Sequence, residues 1–582
     1  MKLRKTDHWS QISELEGLLY LGQRLDEMLF DYTLDTYKPA ALNSLFLCNE
    51  ALSLISDIES DVIDAQNLDH VMEELLWSLR QDEIAKDLLD LQPDYYVQTN
   101  KDTPLSLKRR RLEVLESSLG VYRYIKAGNE LLTKAVEKNS KSEIDAILRC
   151  YIPALINFGV SKLSLFEKVN DFFFNPERRI SDLSQIQDFL REIYPVAHEF
   201  QVILLVSNLV LEVKESINDF GLIILEELPE DFEAAAKVNA FEAPEGYVYV
   251  KAGDIRAVDN YSAREEAEQK IEQLSQLFTF FSHKAQLKWD DRVLLSRCCQ
   301  TGISLIRRPL PSIQKCSDTK PQFAAPKMNK FLRSITLRDA SFVKFKQAIE
   351  LHGMALSSST PDNQLLNLWI AIETITPSSL NGGSKIARIV TDFMPFLLER
   401  YVERLIIRLT KDLFRWNRKA CHEIIAKIDG GKKFHQKVLR LVILDEYDDL
   451  RKELYSKLNS FPLLRNRIFS LNSKLKNPAK VKTLLDAHKQ KVEWQLRRIY
   501  RTRNLVVHSG RTPTFIDTLI ENSHDYLDQI LNKVIYFGVM GMPVKTLDQA
   551  FDLAEARYIL FERKLSESKE FNNGNIFMLM PD

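Results

Sequence analysis

Apolar residues recur at helical spacing along most of this chain, and this pattern restricts its possible folds more than any other feature. Segments such as 15–34, 40–58, 69–91 and 142–169 place apolar residues three and four positions apart, which is typical of an amphipathic helix. The chain has 582 residues, of which 45% are hydrophobic, so it can bury several cores. We therefore predict a mainly α, multidomain protein.

The pattern changes between Tyr194 and Val258. Residues 200–206, 222–225 and 247–251 are short β-branched or aromatic runs separated by turn residues, which predicts a small sheet. One alternative stays open, because 202–213 could equally form a buried helix. Four prolines between residues 306 and 328 then indicate a linker.

These changes in pattern predict four regions. They are an N-terminal helical region at 1–193, a small α+β segment with a proline-rich linker at 194–330, a helical domain at 331–545, and a C-terminal helix and tail at 546–582. The helical domain is predicted to carry the functional residues.

Several classes of protein are disfavoured by the sequence. The six cysteines are scattered, with no CxxC spacing and no paired histidine, so we predict neither a zinc site nor a disulfide framework and infer a reducing cytoplasm. The longest apolar run, 202–213, contains Ser207, Asn208 and Glu212, so no membrane span is expected. Complete P-loop, HExxH and GxSxG motifs are lacking. We therefore predict no metal and no cofactor.

The net charge of −2 conceals a strong asymmetry. Residues 381–511 contain 30 Lys and Arg against 13 Asp and Glu, an excess of 17 positive charges. Such a block can attract a polyphosphate, with an affinity that falls as salt rises. The alternative is a well-solvated helical surface.

The stretch 489–511, KQKVEWQLRRIYRTRNLVVHSGR, combines this charge with a helical pattern. Arg503 falls on the same line as the apolar stripe, where a guanidinium requires a partner anion or a solvated cleft. The stripe itself consists of Val492, Leu496, Ile499 and Val506.

Tyr500, Asn504 and His508 follow one another at four-residue steps and so share a second face of this helix. Ser509 and Gly510 predict that the helix ends there, with His508 in its last turn. Arg503 and His508 are five positions apart, about 140° around an ideal helix. Two copies meeting across a dimer axis would bring them together more easily than one copy alone.

The segment from Arg503 to His508 resembles a signature of the HEPN superfamily of helical ribonucleases, which has an Arg, a polar residue, three further residues and a His. The flanking residues 499–504 and 508–510 resemble its Apea-like branch, found in prokaryotic antiviral systems. Residues 366–373, which include Trp369 and Glu373, are similar to the early helices of that family.

This resemblance implies a metal-independent endoribonuclease of antiviral (anti-phage) defence, with transfer RNA as one candidate substrate. RNA supplies its own nucleophile, the 2′-hydroxyl beside the scissile phosphate. His508 would transfer protons and Arg503 would bind the phosphate. Asn504 would orient either His508 or the phosphate.

Other residues of the same region are expected to support this chemistry. Glu373 would be the counter-charge of Arg503 or would take a direct part in the chemistry. Tyr500 would stack on a base or pack between helices. Four arginines would either bind the RNA backbone or be plain surface charge; they are Arg497, Arg498, Arg501 and Arg511.

The resemblance also suggests partners. The helical domain would form a homodimer or higher oligomer, and the N-terminal region would sense a phage-derived or defence-system protein that triggers cleavage. The competing hypothesis is a non-catalytic HEPN-like scaffold or regulator that binds nucleic acid or protein. In that case Arg503 and His508 would be structural.

Overall fold

The computed structural model describes residues 2–10, 13–30, 40–60, 63–98, 100, 102–299, 302–315, 319–377, 384–539 and 544–581. The protein is mainly α-helical, with one small sheet, which confirms the predicted fold class. Among the described residues, no helix is both long enough and apolar enough to cross a lipid bilayer.

In chain order the helices are α1 (Glu16–Leu29), α2 (Ser44–Glu59), α3 (Gln66–Leu79), α4 (Glu83–Leu88), α5 (Pro93–Tyr96), α6 (Leu105–Leu119), α7 (Val121–Glu137), α8 (Lys141–Phe158), α9 (Lys162–Phe174), α10 (Gln185–Ile193), α11 (Glu230–Val238), α12 (Asn260–Ser282), α13 (Pro321–Ser334), α14 (Asp339–Ser357), α15 (Pro361–Ile375), α16 (Lys385–Leu398), α17 (Tyr401–Ala426), α18 (Phe434–Ile443), α19 (Asp448–Lys457), α20 (Pro462–Leu475), α21 (Pro478–Ser509), α22 (Ile516–Val539) and α23 (Leu547–Glu567). The strands are β1 (His198–Ser207), β2 (Leu222–Leu225), β3 (Tyr247–Ala257), β4 (Trp289–Arg297) and β5 (Ile303–Arg307).

The chain divides into two compact units. The first contains Met1–Tyr151, Pro176–Gln185 and Pro311–Asp582, and the second contains Ile152–Asn175 and Ile186–Leu310. This division differs from the predicted regions, because most of the N-terminal helices belong to the same unit as the C-terminal ones. The predicted regions were drawn from local composition, which does not reveal contacts between segments so distant in sequence.

The second unit is built on an antiparallel sheet with the order β2-β3-β1-β4-β5. Its central strand β1 is covered on both faces, since Val202 and Leu204 lie in one apolar cluster and Ile203 and Leu205 in the other. A strand buried on both faces is apolar throughout rather than alternating. The predicted strands at 200–206, 222–225 and 247–251 are confirmed, and the helical alternative for 202–213 is wrong up to Ser207.

Strands β4 and β5 complete the sheet and were not predicted. The predicted linker at 306–328 is also partly wrong, because α13 begins inside it at Pro321. Proline is well tolerated at the first position of a helix, where its missing N–H has no intrahelical partner. The proline therefore marks a helix start there.

The candidate site lies in the first unit, on the 32-residue helix α21. The Asn477 side chain caps the start of this helix by accepting from the Lys480 N–H, and Pro478 follows at its first position. Gly510 ends the helix with a φ of 61°, a left-handed conformation that glycine adopts without a steric cost. The predicted end of the helix is confirmed.

Helix α21 is covered on two sides. The predicted stripe is buried at Val492, Leu496 and Ile499, where α21 packs among α15, α16 and α22. A second buried line packs toward α3 and consists of Trp494, Arg498 and Arg501.

Candidate active site

Arg503 is half-buried near the C-terminal end of α21. Its Nη1 donates a hydrogen bond to Oδ1 of Asn504 at 3.0 Å, and its Nε is buried without a hydrogen-bond partner. Within the described part of the chain, Arg503 forms no ion pair. This guanidinium has therefore lost part of its hydration without gaining a counter-charge, which favours the arrival of an anion.

His508 is exposed in the last turn of the same helix. The Gly510 N–H closes that turn by donating to the Val506 carbonyl at 3.1 Å. The chain beyond the turn is fastened to the start of α15, because the Thr512 hydroxyl donates to Oδ1 of Asp362 at 2.7 Å. The imidazole of His508 is thus exposed to solvent, while hydrogen bonds fix the backbone on its C-terminal side.

Glu373 is not the counter-charge of Arg503, so that prediction is wrong. Its Oε1 accepts from the Trp369 indole N–H at 2.7 Å, and its Oε2 lies 2.8 Å from Nζ of Lys385. Helices α15 and α21 do pack together, as that prediction assumed. Both oxygens of the Glu373 carboxylate are therefore paired elsewhere, one with Trp369 on α15 and the other with Lys385 on α16.

Tyr500 packs against the buried ring of Trp369. The two ring centroids are 5.6 Å apart and the planes are inclined by 47°. Tyr500 is half-buried, so the structure gives it the helix-packing role that was the alternative to base stacking. Trp369 is fully enclosed and belongs to the core.

Arg498 and Arg501 are buried in an ion-pair network, which corrects the prediction that they bind RNA. Arg498 is 1% exposed and Arg501 is 7% exposed. Nη2 of Arg498 lies 2.9 Å from Glu50 and 2.6 Å from Glu74, and Nη2 of Arg501 lies 3.0 Å from Glu50. A guanidinium committed to buried carboxylates cannot reach an RNA backbone.

The two carboxylates of this network differ in their pKa values. Burial alone would raise the pKa of Glu50, but the adjacent Arg498 and Arg501 outweigh it and lower the pKa to about 2. Burial raises the pKa of Glu74, which is hydrogen-bonded to Arg498 alone of the two arginines. Glu50 is therefore the main counter-charge of the network.

The other two predicted RNA-binding arginines lie nearer the surface. Arg497 pairs with Glu493 one turn earlier on α21, at 2.9 Å. Arg511 follows the helix end, has a side chain that is 69% exposed, and comes only within 3.9 Å of Asp57. Arg511 is thus the member of the set that remains most accessible beside His508.

Two groups of residues were missed by the sequence analysis. His198 approaches Cys299 with 3.1 Å between Nδ1 and Sγ, so one cysteine does have a nearby histidine. His352 and His524 stack on each other beside Asp528. The four-residue spacing of His524 and Asp528 was the available signal, since it places both side chains on one face of a helix.

A cavity of about 60 Å³ also lies in the first unit, away from the predicted site residues. It is lined by α1, α8 and α20 residues that include Tyr20, Arg24, Arg467 and Lys474. Its charges are largely satisfied within the protein, because Arg24 pairs with Asp145 at 2.6 Å and Arg467 pairs with Glu27.

Comparisons with known proteins return nothing: no protein family, curated protein or solved structure matches this chain. The resemblance to HEPN ribonucleases stays a prediction from residues 499–510 and 366–373.

Proposed function

We propose that this protein is a metal-independent endoribonuclease of the HEPN type that acts in the cytoplasm in antiviral defence. One observation carries the proposal. Arg503 is half-buried without an ion pair among the described residues, on the same helix end as the exposed His508. A cation that binds the phosphate and an imidazole that transfers protons can together serve metal-independent cleavage through the 2′-hydroxyl.

The reaction breaks the P–O5′ bond of RNA. The 2′-oxygen attacks the phosphorus, and the products are a 2′,3′-cyclic phosphate and a free 5′-hydroxyl. His508 takes the 2′-hydroxyl proton or delivers a proton to the leaving oxygen, a contribution of about 10²- to 10⁴-fold. Arg503 binds the phosphate oxygens and stabilises the extra charge of the transition state.

Asn504 has a defined part in this scheme. Its side-chain oxygen accepts from Nη1 of Arg503 at 3.0 Å, so it orients the guanidinium. Of the two roles predicted for Asn504, orienting the phosphate through Arg503 has this support.

A homodimer belongs to the same proposal. Arg503 and His508 lie five positions apart on one helix, so the Arg of one copy and the His of its partner would share a phosphate more easily. Large apolar side chains are exposed on α13 and α14, as expected of a surface that pairs. They are Phe323, Met328, Leu332, Phe342, Val343, Ile349 and Met354.

The test is RNA cleavage by the purified full chain in EDTA. Wild type is compared with Arg503→Ala and His508→Ala, and with the matched controls Arg563→Ala and His283→Ala. Arg563 and His283 are exposed residues outside the proposed site. We expect both site variants to lose at least about 10²-fold in rate, while the controls stay at wild-type rate and fragments end in 2′,3′-cyclic phosphate.

Cleavage that persists at wild-type rate in His508→Ala would contradict the proposal, as would cleavage abolished by the chelator. The defence role is tested separately in a bacterial host, where wild type should reduce phage plating and His508→Ala should not. Equal plating by both forms would contradict that role.

The second candidate is a non-catalytic scaffold or regulator. It is favoured by the burial of Arg498 and Arg501, which turns part of the basic helix into structural contacts. Under this alternative, wild type binds RNA or a protein without cleaving RNA, and His508→Ala binds equally well. The trigger protein and an RNA that is cleaved belong to the nuclease proposal alone.

A further inference from the structure

Two histidines and an aspartate meet where α14 faces α22. His352 comes from α14, and His524 and Asp528 come from α22. Nε2 of His352 lies 3.1 Å from Oδ1 of Asp528, and Nε2 of His524 lies 3.9 Å from Oδ2 of Asp528. The two imidazole rings are stacked, with centroids 4.8 Å apart and planes inclined by 23°. Three strong ligand groups thus converge on one point.

The cluster is shielded from solvent on the histidine side. The side chains of His524 and His352 are 7% and 18% exposed, whereas that of Asp528 is 43% exposed. Nε2 of His352 is buried and makes no hydrogen bond of good geometry, although Asp528 is close. A buried ring nitrogen left in this state costs free energy, and a bound cation would remove that cost.

We propose that His352, His524 and Asp528 bind a divalent transition-metal ion such as Zn²⁺. Two imidazole nitrogens and one carboxylate oxygen suit such ions, whereas Mg²⁺ and Ca²⁺ prefer oxygen ligands alone. The ligand atoms all lie within 4.8 Å of one another. Bonds of about 2.0 to 2.2 Å need separations somewhat shorter than that, so the three side chains would draw together when the ion binds.

The ion would connect two helices that are far apart in sequence. With three protein ligands, its fourth position is left to water on the open side beside Asp528. Binding to the folded state alone stabilises that state by mass action. The site shares no residue with the proposed nuclease site on α21. Because a chelator would also remove this ion, loss of cleavage in EDTA contradicts the metal-independent nuclease if Asp528→Asn, which lacks a ligand of the ion, still cleaves RNA without the chelator.

A second cluster in the protein could bind the same metal ion. His198, Cys298 and Cys299 also bring three ligand atoms together, but Cys298 and Cys299 are exposed and Nε2 of His198 already contacts Arg297. The two clusters differ in chemistry, because only the His198 cluster offers cysteine sulfur as a metal ligand. Spectroscopy can therefore tell which cluster holds an ion.

The experiment is a titration of the metal-stripped full chain with Co²⁺, followed by competition with Zn²⁺. We expect one equivalent of Co²⁺ with visible d–d absorption and no thiolate charge-transfer band. His352→Gln and Asp528→Asn should each weaken binding by at least about 100-fold, since even outer-shell partners of a metal are worth about 10- to 100-fold. Asp525→Asn is the matched control, a carboxylate on the same helix that accepts a hydrogen bond from Gln529 instead.

The helical content of each variant is checked by circular dichroism. Asp528→Asn alters the most exposed of the three ligands, so we expect this variant to stay folded. It therefore tests the metal site even if His352→Gln unfolds. The proposal is overturned if wild type binds no Co²⁺, or if Asp528→Asn binds as tightly as Asp525→Asn. It is also overturned if the bound ion shows a thiolate band that Cys299→Ser removes.

Discussion

Arg498→Ala tests the buried network that joins the N-terminal helices to α21. Arg498 is 1% exposed and donates to both Glu50 and Glu74. Its removal leaves Glu74 without its arginine partner and leaves Glu50 to Arg501 alone. Breaking a buried pair by deleting one partner costs about 3 to 5 kcal/mol, because the remaining charge stays buried.

The neighbouring residue provides a matched control. Arg497 pairs with Glu493 on the same helix, at 2.9 Å and partly exposed to solvent. A pair of this kind is worth about 0.3 to 0.5 kcal/mol. Arg497→Ala and Arg498→Ala remove the same type of side chain from adjacent positions. The two arginines differ in how deeply they are buried and in which carboxylates they contact.

The assay is hydrogen exchange of the amides of α2, α3 and α21, with urea unfolding as a second measure. Exchange is preferred because a chain with two compact units need not unfold in one step. We expect Arg498→Ala to lose several kcal/mol of protection in these three helices and Arg497→Ala to lose almost none. Equal losses in the two variants, within about 0.5 kcal/mol, would refute the account of the network.

Three further substitutions concern the same compact unit. Glu50→Gln should lower the free energy of unfolding at neutral pH and match wild type in acid. The stabilisation that the Glu50 carboxylate provides is lost as the pH falls from about 4.5 toward about 2. The measurement is urea unfolding of both proteins across this pH range, and a difference in unfolding free energy that stays constant with pH would contradict the prediction. Gly128→Ala should destabilise by about 1 to 3 kcal/mol, since the added Cβ would lie 2.6 Å from Tyr151. Gly353→Ala, which meets nothing within 4 Å, should stabilise its helix by about 0.5 to 1 kcal/mol. Melting temperatures that fail to separate these two variants would contradict the packing argument.

Features encoded by neighbouring residues could be predicted from the sequence. The end of α21 follows from Ser509 and Gly510, and its buried stripe follows from Val492, Leu496 and Ile499. Strand β1 was found for the same reason, although its apolar run also fitted a helix. Only its place at the centre of the sheet, with both faces covered, explains that run.

Features that depend on distant partners could not be predicted. Arg498 and Arg503 look alike in the sequence, yet one is buried among carboxylates and the other has no ion pair in the described part of the chain. The partners of Arg498 lie 448 and 424 positions away. A tryptophan four positions earlier, Trp494, was the local hint, because it begins the buried line on which Arg498 and Arg501 lie.

The position of Glu50 and Glu74 has a consequence for dividing the protein. A fragment that began at residue 331 would keep Arg498 and Arg501 but lose the acids that neutralise them. It would then expose these two guanidinium groups to solvent, on the helix that holds Arg503 and His508. We therefore expect such a fragment to be less stable than the intact chain, because it lacks the contacts of α21 with Glu50 and Glu74.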